Sequence, residues 1–566
     1  MANPFLSRIG ITGNEGRNNE KILRNDEPPA DEIPKRKNQN EKINAKDMPE
    51  EKIKFTIDLK PRIIPLPAFK DIQNIDVRYP LIPPYAFAHI YWNETTQELL
   101  YDVEEHLLSD TEKELLKLLM IGLEETVNVS LAKIKNSRMV IEYLEKNVQS
   151  ILSELGAKLS EKSYTRIMYY VYRNSVGLNQ IEPLLNDYYI EDIECNGVNL
   201  PIYIVHRKYE NLRTNVIFRS GAELSNFVEK LAQKSGKYVS YAKPLLDGAL
   251  PDGSRVNATY AKDITTRGPT FTIRKFTSDP LTPIDLIRNN TASAEAFAYL
   301  SMLVQNKFNI MVIGETASGK TTFLNSIMNF IPSEARICSI EDTRELNLAH
   351  SNWIPAVSRV GVGMKGAADE AYGEISMFEL LRETFRQNPD YVIVGEVRGN
   401  ETFVLFQGMA SGHPCYSTFH AGSIEGLVKR LQTPPINLPA SLIECMDAVC
   451  MVTHIKDPKR NIRRLVGIKE IKSVKQQAGV VDANDIVVWD AFNDEFIFSK
   501  NSYIFEKMSK KIGKSIDKIY REITLRTALF KKIAAGKNIE YRTFSNVMNK
   551  YYKNSAEVLR EYGIVE

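Results

Sequence analysis

Apolar positions along this chain change their rhythm three times. Between about residues 285 and 490 they come in short unbroken runs, each followed by a stretch of helical spacing. The runs at 308–313, 337–340, 391–394 and 415–419 predict strands buried on both faces. Strands that alternate with helices in this way predict an α/β layer. From about 53 to 276 the pattern is mixed. Ser109 and Glu112 frame a capping box before an apolar stripe through Leu115, Leu116 and Leu119, which predicts a helix. A second helical stripe runs over about 131–155. Short strands are predicted at 190–193, 202–205 and 271–276, with a Pro-Asp-Gly turn in 250–255. After about Trp489 the spacing turns helical, with Ile512, Ile516, Ile519, Ile523, Phe530 and Ile533 on one face and Gly536 as a stop.

These shifts divide the chain into five parts. Residues 1–53 hold few apolar side chains and balanced charge, and predict a disordered tail. An α+β domain follows at 54–277, then a hinge at 278–284 marked by Pro280 and Pro283. The α/β domain spans 285–490, and a basic helical region closes the chain at 491–566. The composition (566 residues, 43% hydrophobic, 25% charged) excludes a fully disordered chain, a collagen-like fibre and a membrane-embedded transporter. A net charge of +2 gives no reason to expect nucleic acid as a partner. Five scattered cysteines without a C-x-x-C pair predict neither a zinc knuckle nor a disulfide framework, and favour a reducing cytosol. The amino terminus lacks a secretory pattern, and no apolar run reaches membrane-span length.

The chemistry concentrates after the first buried strand. Gly314, Glu315, Thr316, Ala317, Ser318, Gly319, Lys320 and Thr321 complete the pattern G-x-x-x-x-G-K-[ST], between a strand and a helix. The glycines let backbone N–H groups wrap phosphate, and the helix start adds partial positive charge. In such a loop Lys320 reaches the β- and γ-phosphates and Thr321 ligates Mg²⁺. Two later strands end in carboxylates, Glu341 and Glu396. Gly395 stands where an Asp usually precedes the second. His413 and His420 bracket a further strand. A zinc pair is one reading of them, and an imidazole contact to the γ-phosphate fits their place better. No guanine motif is evident, because Asn309 closes Asn306-Lys-Phe-Asn309 where an Asp is needed.

The phosphate loop, the acidic stretch 340–345, the glycine-containing segment 389–398 and the histidine box 412–420 together resemble the type II/type IV secretion ATPase superfamily. Within it the chain is most similar to the archaeal branch, the ATPases of archaella and archaeal pili. The segments 189–193, 200–208, 352–355, 381–390 and 434–439 carry that likeness. The bacterial tetracysteine zinc motif has no counterpart.

The resemblance implies a C-terminal P-loop, RecA-like ATPase domain behind an α+β N-terminal domain, assembled as a hexameric ring. It implies ATP and Mg²⁺ as ligands, with 314–321 and Thr322 around the phosphates. Glu341 would orient or deprotonate water, and Glu396 with Thr321 would hold Mg²⁺. His420 would sense the γ-phosphate and His413 would support its loop. Arg255 and Arg274 would act on a neighbouring subunit's site. Arg382 and Arg386 would link the site to the interface. The implied partner is a polytopic membrane platform protein, which would place the motor in the cytoplasm at the membrane's inner face. A nucleotide-gated scaffold with little turnover and a ringed nucleic-acid translocase are the competing readings.

Overall fold

The computed structural model describes residues 55–59, 64–67, 69–126, 137–276, 280–359, 373–457 and 460–564. The tail expected at 1–53, hinge positions 278 and 279, and residues 131–136 of the second helical stripe lie outside them. The chain forms two compact units, one of residues 1–245 with 258–272, the other of 246–257 with 273–566.

The first sheet has nine strands. Its strands are β1 (Asp76–Ile82), β2 (Ala86–Asn93), β3 (Glu98–Glu105), β4 (Ile190–Cys195), β5 (Pro201–His206), β6 (Glu210–Ile217), β7 (Leu245–Ala249), β8 (Arg255–Thr259) and β9 (Thr270–Arg274). They lie in the order β1-β2-β3-β6-β5-β4-β9-β8-β7. The unit division passes through β7–β9. Helices α1 (Asp110–Thr126), α2 (Ser137–Glu154), α3 (Glu161–Ser175) and α4 (Gly221–Lys234) belong to the first unit. The predicted capping box opens α1: Glu112 N–H donates to Ser109 Oγ at 3.3 Å and Ser109 N–H to Glu112 Oε2 at 2.8 Å. At the core, Tyr79 and Tyr101 hydroxyls both donate to Asp187 Oδ2, so this buried carboxylate has its partners.

The second unit carries another nine-stranded sheet. It contains β10 (Ile310–Gly314), β11 (Ile337–Glu341), β12 (Trp353–Val357), β13 (Tyr391–Glu396), β14 (Cys415–His420), β15 (Ala448–Asp457), β16 (Arg460–Val474), β17 (Val481–Asp490) and β18 (Glu495–Phe498). The order is β12-β11-β13-β14-β10-β15-β16-β17-β18. From β12 to β15 neighbours run parallel, as the apolar runs predict; from β15 to β18 they are antiparallel. β10 and β11 are buried at every position, which is how strands covered on both faces read. The antiparallel extension was not predicted. Its strands mix Lys, Glu and Asp with Val and Ile, and so lack the unbroken apolar signature.

Helices α5 (Ala294–Gln305), α6 (Lys320–Ile327), α7 (Met377–Thr384), α8 (Glu401–Ala410) and α9 (Ile424–Gln432) accompany the parallel strands. The carboxyl-terminal helices are α10 (Tyr503–Ile512), α11 (Ile516–Ala535), α12 (Tyr541–Lys553) and α13 (Ser555–Glu561). Two expectations change here. The chain turns helical only at Tyr503, because 495–498 form β18. Ile512 and Ile516 lie on different helices, because Gly513 at φ 68° ends α10 in the left-handed region. Gly536 does end α11.

The carboxyl-terminal helices share one core with the sheet: Phe505, Phe530 and Phe544 are fully buried together with Phe297 and Phe330. Polar ties reinforce it. The Arg288 fork donates to the carbonyls of Ile533, Ala534, Gly536 and Lys537, capping orphan groups at the end of α11. Glu470 on β16 is wholly buried. Its Oε1 accepts from Tyr299 and Ser502 hydroxyls, and its Oε2 from Tyr503 N–H and Asn484 Nδ2. Among the described residues no helix is long and apolar enough to cross a membrane.

Glu470→Ala leaves those donors without an acceptor, and should cost about 2–4 kcal/mol of stability. Glu470→Gln, which keeps one carbonyl acceptor, should cost less. Urea unfolding of both variants checks this, and midpoints equal to wild type for both would refute the role given to the carboxylate.

Candidate nucleotide site

The ends of four parallel strands meet at one edge of the second sheet. The register places Gly314 on β10 opposite His420 on β14, Thr418 opposite Glu396 on β13, and Val394 opposite Ile340 on β11. Glu341 therefore emerges beside Gly395. In a parallel sheet this carboxyl edge, where loops leave the strands, is where a ligand crevice forms.

The loop 314–321 turns out of β10 and into α6. Gly314 has to be glycine: a Cβ there would sit 2.3 Å from Val452 O and 2.5 Å from Ser318 Oγ. Gly319 at φ 90° forms the cap of α6, and Ala317 takes φ 60°. For a residue with a side chain the left-handed conformation costs about 1–2 kcal/mol. The carbonyl of Glu315 gathers the loop, accepting from Ser318 Oγ at 2.8 Å and from Lys320 Nζ at 2.9 Å. Burial lowers the pKa of Lys320, against the pull of the Glu396 carboxylate. Arg463, reaching in from β16, donates its Nε to Ala317 O at 3.2 Å.

Glu341 is the least ordinary group in the site. Its side chain is 2% exposed. Oε1 accepts from the backbone N–H groups of Glu345 and Leu346, both at 2.9 Å. Oε2 is buried and has no hydrogen-bond partner. Burial pushes its carboxyl up to about 7, although the two N–H donors pull the other way. Gly395 is what admits this side chain. A Cβ at 395 would lie 3.1 Å from Glu341 Cγ and 3.5 Å from Oε1. The glycine that displaces the usual Asp in the sequence thus has a steric reason.

Glu396 is half-buried and pairs with Arg398 at 2.5 Å. His420 is also half-buried, at the end of β14, and its carbonyl accepts from Arg430. His413 corrects an expectation. It precedes β14, so it lies at the opposite edge of the sheet, roughly 20 Å along the strand from His420. Its ring meets Phe385 edge-on at 5.0 Å. It does not support the phosphate loop, because a strand separates the two histidines. Among the described residues no cluster of His, Cys, Asp or Glu could hold a metal ion by itself.

Arg255 starts β8, with Nε 3.5 Å from Asp247 Oδ1, and Arg274 ends β9. Arg382 lies over the Phe378 ring, and Arg386 forms an exposed pair with Glu383. The structure therefore brings together the loop, Glu341, Glu396 and His420. Sequence reasoning missed Arg398, Arg463 and the packing role of Gly395. Arg398 was visible two positions beyond Glu396. Arg463 is 146 residues from Ala317, and no local signal could have paired them.

The chain is similar to several known proteins. The family model described as Type II/IV secretion system protein matches residues 174–527. The Methanocaldococcus jannaschii protein MJ0900, named as uncharacterized, is 31% identical over 516 residues, covering 87% of this chain and 91% of its own length. The type IV secretion system protein PtlH of Bordetella pertussis is 28% identical over 44% of this chain and 82% of its own. Among solved structures, the VirB11 ATPase of the Brucella suis type IV secretion system covers 51% of this chain and 92% of its own, at 24% identity and a TM-score of 0.26. With the family model spanning well over half its length and the phosphate loop at its strand edge, this chain belongs to the type II/IV secretion system protein family.

Proposed function

We propose that the chain is an ATP-hydrolysing motor. In this reading it powers assembly or rotation of an archaeal type IV pilus-like filament, or a related secretion machine. One observation carries the chemistry: a buried carboxylate, Glu341, has one oxygen locked and the other without a partner, at the same strand edge as the loop that wraps phosphate. The loop 314–322 holds the nucleotide, with Lys320 turning from Glu315 O to the β- and γ-phosphates. Thr321 and Glu396 would hold Mg²⁺, which when bound would supply positive charge against the phosphates. Glu341 Oε2 takes the proton as water attacks the γ-phosphorus, the bond to the β-bridging oxygen breaks, and ADP and phosphate result. The orphaned, buried Oε2 fits that task. His420 contacts the γ-phosphate through an imidazole N–H.

Arg255 and Arg274 complete a neighbour's site within a homo-hexamer. A supplied arginine is worth about 10³ to 10⁵ in rate, so a ring that delivers it only on closure couples turnover to domain motion. The motion passes to a polytopic membrane platform protein, with the motor on the cytoplasmic side. A scaffold that binds ATP without turning it over is the second reading, and a translocase on nucleic acid the third. DNA-stimulated turnover would favour the translocase.

Purified protein should hydrolyse Mg-ATP slowly, and Glu341→Gln should lower kcat by about 10²-fold or more while still binding nucleotide. Steady-state assays with light scattering check both turnover and ring formation. An unchanged rate in this variant would overturn the assignment and favour the scaffold.

A base must be deprotonated to accept a proton. With its carboxyl near 7, kcat should fall as pH drops through about 7. The check is a pH–rate profile at saturating Mg-ATP, where a flat profile between pH 6 and 8, a range of roughly one unit either side, would count against Glu341.

Gly395→Ala should lower kcat as Glu341→Gln does, with nucleotide affinity kept, since the new methyl meets Glu341 and not the loop. Fluorescent-ADP titration beside the rate assay separates the two effects.

A further inference from the structure

The turn that grips Glu341 is itself held from outside. Residues 342–346 leave β11, and the N–H groups of Glu345 and Leu346 at their far end bond Glu341 Oε1. Arg344 sits immediately before those donors. Its guanidinium carbon lies 5.3 Å from the centre of the Phe276 ring and 5.5 Å from that of Trp353. Both residues are tied to their surroundings. Trp353 opens β12, and its indole N–H donates at 2.9 Å to Ser339 Oγ, a fully buried residue of β11. Phe276 lies two residues beyond Arg274. Its N–H donates to Ser254 Oγ at 3.1 Å, and its ring fills the space beside Gly253, where a Cβ would be 3.1 Å from Phe276 Cγ. Ser254 directly precedes Arg255. All of these residues belong to the second unit.

We infer that Arg344 is a positioning residue, a clasp whose guanidinium ties the turn gripping Glu341 to the segment that carries Arg255 and Arg274. A planar guanidinium can lie over two aromatic faces, where an ammonium would offer only a point charge. Arg344 is exposed, so water competes for it and the clasp can open and close. Displacement of Phe276 would release the turn, and the turn's two N–H groups set where Glu341 points. The ends of β8 and β9 thereby gain a route to the base within the same chain. The catalytic consequence rests on the role proposed for Glu341; the clasp does not.

The test uses the full chain and three variants, Arg344→Ala, Arg344→Lys and Phe276→Leu. Hydrogen–deuterium exchange is followed by mass spectrometry in peptides covering 341–350, beside kcat for Mg-ATP and affinity for fluorescent ADP. Arg344→Ala should speed exchange in that stretch by roughly threefold to tenfold. It should lower kcat by a similar factor and leave ADP affinity unchanged. Phe276→Leu should act in the same stretch, far from its own position in sequence, and Arg344→Lys should recover part of the protection. Wild-type exchange in Arg344→Ala, faster exchange throughout residues 273–564, or lost ADP binding would each overturn the clasp. Should Glu341→Gln keep its turnover, the base assignment fails while the exchange result still decides the clasp.

Discussion

The burial of one carboxylate governs the architecture around the phosphate loop. A charged oxygen out of water is costly unless donors meet it. Glu341 is met on one oxygen by Glu345 and Leu346 N–H. β13 carries a glycine at its side, where a Cβ would press on Glu341 at 3.1 Å from its Cγ. Three requirements therefore converge: a turn that aims two amides backward, a strand without a Cβ at 395, and a register that sets 341 beside 395. Each has little value alone. Together they keep one oxygen of a buried carboxylate without a partner, an exception that native structures hold only for a reason.

That arrangement needs a rigid frame, and the second unit supplies one. Its parallel strands β10, β11, β13 and β14 are buried along nearly their whole length. The carboxyl-terminal helices extend the same core instead of forming a separate appendage: Phe530 stacks on Phe330, in the short helical turn that follows α6. Arg526 is buried between Ser301, Gln305 and Glu522, with the Tyr551 and Tyr552 rings above it. Excess positive charge in this region thus accompanies a packed interior, with the remaining lysines on its outer face. Packing of this density transmits displacement, because close-packed interiors yield little.

The parts legible in the sequence are those whose cause is local. The phosphate loop, the capping box at Ser109, and the strands ending at Gly314 and Glu341 follow from neighbours within a few residues. Strand direction is not local, and so the two histidines around β14 looked like partners although the strand holds them at opposite edges. The extension β16–β18 was hidden because charged and polar residues interrupt its apolar positions. The break between Ile512 and Ile516 was hidden because the apolar spacing carries on across Gly513. Gly395 was legible as an oddity but not as a cause. Its meaning depends on Glu341, which lies across a strand pair and not along the chain.

A final contrast separates the groups of the site by how replaceable their partners are. Lys320 donates to a carbonyl of its own loop, and Glu396 pairs with an exposed arginine. Both contacts face solvent, where the ion pair of Glu396 is worth about 0–1 kcal/mol, so in the proposed reading phosphate and metal can take their place at little cost. Glu341 has no such alternative. Its locked oxygen cannot leave its amides without stranding them, and its other oxygen is buried without a partner. In the proposed reading, a site with exchangeable cations and anions around one fixed, proton-hungry carboxylate binds readily and reacts at a single point. Loops that wrap phosphate recur in many folds with many tasks. The fixed carboxylate, more than the loop, is what argues here for hydrolysis and against mere binding.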